Sequence, residues 1–199
     1  MQKKDILIVG VGGQGTILAS DILGAVAIAA GYEIKKTDTL GMAQRGGSVV
    51  SHVRIGDKVW SPLIKEGDVD ILLAFEKLEA ARWTPYLSTN GLVILNDYAI
   101  PPLSVSLGTQ CYPDTAEIQE ILKQKTDKIH LIDGNSKLKQ LGDVRTLNII
   151  MLGYLSSFLS IEPQIWQECL TKILPAKILD MNLKAFEIGR KESSFVDLK

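Results

Sequence analysis

The chain alternates short apolar runs with longer amphipathic stretches, the rhythm of strands and helices taken in turn. Asp5–Val9 carries four consecutive aliphatic residues, an apolar run of strand length, and predicts the first strand. A helix is predicted from about Thr16 to Ala30, apolar nearly all round, with Leu18, Ile22, Ala25, Val26 and Ala29 on one stripe. Such a helix needs cover on more than one side. Gly31 stands where a left-handed residue closes it. Glu33–Thr39 reads as a second strand, and its adjacent lysines, Lys35 and Lys36, make it a poor central one. Ser48–Ile55 then alternates cleanly, with Val49, Ser51, Val53 and Ile55 on one face and Val50, His52 and Arg54 on the other. Gly56, Asp57 and Lys58 predict a tight turn into Val59–Ser61, an antiparallel hairpin.

The alternation of strand and helix resumes after residue 70. Asp70–Phe75 is a predicted buried strand, Glu76–Trp83 a short helix and Gly91–Asn96 a further strand. A loop through Pro101 and Pro102 leads to a helix over Thr115–Lys125, which Asp114 and Glu117 mark as an acid-capped start. Lys128–Ile132 is the next strand. Three helices complete the chain, at about Val144–Leu159, Gln164–Leu174 and Leu179–Arg190. The expected fold is therefore α/β. It is a single three-layer domain over residues 1–190, with a mostly parallel sheet, an antiparallel hairpin, a helical C-terminal third and a tail over 191–199.

Composition narrows the chemistry. The chain has 199 residues, enough for one well-cored domain. Its 22 basic and 23 acidic residues nearly cancel, which gives no electrostatic reason to expect nucleic acid or a membrane surface as partner. Cys111 and Cys169 are far apart and form no metal-binding spacing, so neither a disulfide framework, a zinc site nor an iron–sulfur cluster is expected from this chain alone. The start of the chain lacks a signal-peptide apolar region, and the longest apolar stretch, Ile22–Ala30, is too short to cross a bilayer. A cytoplasmic protein is expected.

Two glycine-rich loops carry the remaining signal. Gly10, Gly12, Gly13, Gln14 and Gly15 follow the first strand and open the long helix, a setting in which backbone N–H groups can hold an anion. Their spacing also matches a dinucleotide-binding turn. The acid such a site needs near the end of the second strand is poorly supplied, because Asp38 comes late. Gln14 has no evident use in a packing turn. The second loop, Gly41, Met42, Ala43, Gln44, Arg45, Gly46 and Gly47, sets a planar cation and an amide among glycines, suited to a carboxylate or phosphate or else to a local acid. Glu76, Asn96, Asp97 and Asp133 are expected along the carboxyl edge of the sheet, with a structural reading favoured for Glu76 and an Glu79–Arg82 pair one turn on. Asn148, polar among apolar neighbours, is a candidate partner contact. Two histidines give no catalytic triad.

Taken together, the two loops, Val53–Gly56, Ala74–Arg82 and Asn182–Gly189 resemble the gamma-type domain of 2-oxoacid:ferredoxin oxidoreductases, over about residues 4–190. The segments Pro101–Gly108 and Tyr112–Pro113 are similar to the beta subunit of indolepyruvate ferredoxin oxidoreductases. The resemblance implies a small subunit, itself without cofactor, of a complex that oxidatively decarboxylates a 2-oxoacid to an acyl-CoA with ferredoxin as electron acceptor. Thiamine diphosphate, magnesium and iron–sulfur clusters would sit on a large partner subunit. This chain would cap the thiamine site and help handle coenzyme A. No residue of this chain alone is expected to be catalytic. A stand-alone nucleotide- or CoA-binding module is the alternative.

Overall fold

The aliphatic run after Asp5 becomes β1 (Lys4–Val11), whose Ile6, Leu7, Ile8 and Val9 are wholly buried. The computed structural model describes residues 3–41 and 46–193. Among these, β1 is joined by β2 (Glu33–Leu40), β3 (Ser48–Gly56), β4 (Val69–Ala74), β5 (Leu87–Asn96) and β6 (Ile129–Ile132) in one sheet of order β2-β3-β1-β4-β5-β6. The strands from β1 through β4 and β5 to β6 run parallel, while β3 is antiparallel to both β1 and β2.

Alternation along β1 divides the core. Ile6 and Ile8 face α1 (Thr16–Ala29), α6 (Leu147–Ser156), α7 (Pro163–Ile173) and α8 (Ala176–Ser193). Leu7 and Val9 join the opposite cluster, with Ala80 of α2 (Lys77–Trp83) and Ile118 and Leu122 of α4 (Thr115–Lys123). Two further helices are α3 (Leu103–Ser106) and α5 (Gly134–Leu141). The result is three layers, helix–sheet–helix.

Local signals explain several boundaries. At the end of α1, Gly31 has φ +83°, and the N–H groups of Gly31 and Tyr32 donate to the carbonyls of Ile28 and Ala27. These two bonds satisfy orphan carbonyls of the last turn. Every residue of α6 is buried, between the sheet side and α8. The α6–α8 contact depends on glycine. A side chain at Gly153 would run into the Phe186 carbonyl, and one at Gly189 into that of Ile150. No helix among the described residues is long and apolar enough to cross a membrane.

Two expectations change. Residues 59–61 form no strand, and the hairpin is β2–β3, with the second glycine loop at its tip. The reason is that β3 already has a neighbour on each edge. The chain after Gly56 is instead held by side chains. Arg54 donates to the Leu63 carbonyl at 2.9 Å, and the Ile64 N–H donates to Nδ1 of His52 at 3.3 Å. The lysine-bearing strand β2 takes the sheet edge, where Lys36 Nζ reaches Asp21, Asp38 and Ser20. The helix α5 went unforeseen. Its start is capped by Asp133, which accepts from the Ser136 N–H at 3.0 Å.

Candidate functional site

The carboxyl edge of the parallel strands brings the two glycine loops together. The Gly12 N–H donates to the Gly47 carbonyl at 2.8 Å, and the Gly46 N–H donates to the Gly12 carbonyl at 3.3 Å. At the hairpin base the Gly41 N–H donates to the Ser48 carbonyl at 2.8 Å. Gly41 must be glycine for this approach, because a Cβ there would stand 2.9 Å from the Ser48 carbonyl oxygen. Met42, Ala43, Gln44 and Arg45 lie outside the described residues.

The first loop ends in Gly15, the N-cap of α1, at φ 79°. No side chain caps α1, and its first turn contains no acid. Among the described residues no side chain takes up the N-terminal N–H groups, which stand with the positive end of the helix dipole beside the glycine loops, and no first-turn carboxylate competes with an incoming anion. Thr16, the first helical residue, buries a hydroxyl oxygen that finds no partner among the described residues. Asn148 of α6 packs onto Gly15, where a Cβ would stand 2.7 Å from its Nδ2. Its Oδ1 accepts from the Ile149 N–H.

Gln14 has a structural use. Its Oε1 accepts from the Val11 N–H at 2.8 Å, and its Nε2 donates to the Phe75 carbonyl at 3.0 Å. The side chain therefore spans the carboxyl ends of β1 and β4, the place where the helices switch faces. In open α/β sheets a dinucleotide occupies that crevice. Asp38 is also committed, to Ser51, Ser20 and Lys36. Burial raises its carboxyl pKa, but the Ser51 bond and the Lys36 charge outweigh it and hold the group ionised. A dinucleotide site does not fit these contacts.

Two clefts flank Gly13 and Gly15. One, of about 570 Å³, lies between the first loop and the hairpin, with Val11, Thr16, Ile17, Leu40, Gly41 and Val49 in its wall. The other, of about 370 Å³, is lined by Gln14, Leu18, Tyr98, Asn135, Arg145 and Asn148. Arg145 is a cation that the sequence did not single out. It is exposed and pairs with Asp143, whose carboxyl its hydrogen bonds hold at about 2. An apolar wall beside open backbone N–H groups suits a ligand with an apolar body and an anionic end.

The acids and the amide at this edge are structural. Glu76 caps α2, Asp97 pairs with Lys77 at 2.9 Å, and Asn96 bridges the Phe75 carbonyl and the Gly134 N–H. Glu79 and Arg82 form the expected pair at 3.1 Å. His52 is a core histidine. Burial, and then the Arg54 charge, lower its pKa. Among the described residues no group of three or more His, Cys, Asp or Glu could hold a metal ion. Cys111 is exposed and Cys169 buried, both unbridged.

The architecture and its paired loops define a three-layer α/β domain with both glycine loops at the carboxyl edge of its parallel strands. The chain belongs to the pyruvate ferredoxin/flavodoxin oxidoreductase family, whose profile matches residues 5–192. It is 40% identical over 193 residues to the indolepyruvate oxidoreductase subunit IorB of Archaeoglobus fulgidus, with 96% of each chain covered. Its fold is similar to that of the keto/oxoacid ferredoxin oxidoreductase gamma subunit of Geobacter sulfurreducens, with a TM-score of 0.71, 22% identity and coverage of 96% and 99% of the two chains. It is also similar to part of a 2-oxoglutarate:ferredoxin oxidoreductase chain from Magnetococcus marinus, with a TM-score of 0.74 and 21% identity, covering 98% of this chain and 32% of that one. The same fold thus occurs as a separate subunit and inside a longer chain.

Proposed function

We propose that this chain is the small subunit of an indolepyruvate-type (arylpyruvate) 2-oxoacid:ferredoxin oxidoreductase. A large partner subunit would carry thiamine diphosphate, magnesium and the iron–sulfur clusters. This chain would close over the thiamine site and help hold coenzyme A, while the complex converts a 2-oxoacid and coenzyme A to acyl-CoA and carbon dioxide with ferredoxin taking the electrons. The observation that carries the reading is the meeting of both glycine loops at the uncapped start of α1. Its backbone N–H groups favour a phosphate or carboxylate, and Gln44 and Arg45 stand in sequence between the glycines of the adjoining loop. Exposed Leu40, Tyr98, Leu103 and Leu107 lie on segments leaving the same sheet edge and offer apolar surface to the partner.

Reconstitution with the large subunit tests the reading. Arg45→Lys keeps the charge but loses the two-point fork, and Gln44→Ala removes the amide. Each should slow acyl-CoA formation about ten- to a hundredfold, the worth of a partly desolvated charge-assisted contact, with assembly by gel filtration unchanged. Unchanged turnover in both variants would reduce the loop to a turn. Failed assembly would make it an interface element. Tight binding of coenzyme A to the isolated chain, with no large subunit recruited, would favour the stand-alone module instead.

A further inference from the structure

Two carboxylates are buried three residues apart at the start of α2. Glu76 is 1% exposed and Glu79 is 4% exposed. Burying a carboxylate is costly unless each oxygen finds a donor, so what these oxygens hold shows what the cost secures. Glu76 Oε2 accepts from the Glu79 N–H at 2.9 Å, which caps the helix. A serine or aspartate would do as much. The second oxygen reaches beyond the helix, accepting from the Ile100 N–H at 3.0 Å and from the Tyr112 hydroxyl. That hydroxyl in turn accepts from the Leu78 N–H at 3.2 Å. Burial, and then the Glu76 bond and charge, push the Tyr112 pKa up, so it stays a donor at neutral pH. Both ends of the loop between Asp97 and Asp114 are thereby tied to α2.

Glu79 reaches the other way. One oxygen pairs with Arg82, and the other accepts from the hydroxyl of Ser48. Ser48 is the first residue of β3, and its carbonyl receives the Gly41 N–H at the hairpin base, beside the Gly12–Gly47 bond to the first glycine loop. Hydrogen bonds therefore run unbroken from Ile100 and Tyr112, through Glu76 and the first turn of α2, to Glu79, Ser48 and Gly41.

We propose that Glu76 and Glu79 are positioning residues that hold the base of the second glycine loop and the 97–114 loop in one fixed relation. The proposal deepens the reading of the glycine loops as the working site and rests on it for its consequence in turnover.

Amide hydrogen exchange on the isolated chain tests the positioning directly. Glu79→Ala and Ser48→Ala should each speed exchange at the Gly12, Gly41 and Gly46 amides on the order of tenfold, while amides of β4 and the middle of α1 hold their rates. The double variant should exchange no faster than either single one. Glu79→Gln keeps an acceptor oxygen for Ser48 and should restore most of the protection. In the complex with the large subunit, Glu79→Ala and Ser48→Ala should raise KM for coenzyme A more than they lower kcat, and Glu79→Gln should again recover. Unchanged exchange at the three glycines, or a uniform rise along the whole chain, would overturn the proposal. Faster exchange at those glycines with unaltered kinetics would support the positioning and remove the assigned role of the loops.

Discussion

The helices α1 and α2 begin at the same edge of the sheet, after the adjacent parallel strands β1 and β4, and their N-termini are finished in opposite ways. At α2 the first-turn donors are all taken within the chain. The N–H groups of Lys77, Leu78, Glu79 and Ala80 go to the Tyr98 carbonyl, the Tyr112 hydroxyl, the Glu76 carboxylate and the Glu76 carbonyl. At α1 the cap is a glycine with no side chain, and the first turn has no acid. A helix start that only joins elements gains by satisfying its donors internally. One left uncapped between two glycine loops keeps its dipole for a ligand. The contrast separates the scaffold of this edge from the surface proposed to take a ligand, although the two lie one strand apart.

The largest expected effect falls on the scaffold. Glu76→Ala strips partners from the Glu79 and Ile100 N–H groups and from Tyr112, and should lower the unfolding free energy by about 3 kcal/mol in urea titrations. A loss below about 1 kcal/mol would mean that α2 is closed by other contacts. A smaller cost is expected at α1. Gly15→Ala forces a Cβ into left-handed backbone and against Asn148, and should cost about 1–2 kcal/mol in the same measurement. No change would show that the Gly15 turn can relax, and the contrast between the two helix starts would weaken.

The smallest effect concerns the middle of β3, and its sign follows from His52. The folded pKa lies below the unfolded value of about 6.5 because the ring is buried, and because the Arg54 charge disfavours a second cation beside it. Between those two values the unfolded chain binds more protons. Stability should therefore fall as pH drops through about 6.5, and the fall should level off once the folded pKa is passed. His52→Gln should flatten that slope in urea midpoints compared between pH 7.5 and 5.5. An equal slope in the variant would assign the titration elsewhere.

Much of the fold was legible in the pattern. The aliphatic run at Ile6–Val9 marks the first strand, and the paired lysines of β2 argue against a central place in the sheet. Asp114 and Glu117 form the capping box that their spacing predicts, each accepting the other's backbone N–H. The hairpin after Gly56 was misplaced because turn residues show where a chain bends, not which strand edge is free. Within the site, the glycine spacing marked a turn between β1 and α1, while the Gly12–Gly47 bond that joins the two loops came only with the fold. Gln14 resisted reading because its partner, Phe75, is 61 residues away. The Ser48–Glu79 bond was hidden for the same reason, its members standing 31 positions apart.

By itself the sequence determined the order and kind of most elements, and the family, because hydrophobic period, capping residues and glycine spacing are local and survive without contacts. Only the tertiary structure decided that β3 lies between β1 and β2, that the two glycine loops meet, and that α1 is left uncapped while α2 is closed. These outcomes depend on which strand edge remains available and on which distant donor reaches which buried acceptor. Desolvation sets that choice once the layers pack, since a buried polar group must find its partner wherever the fold brings one.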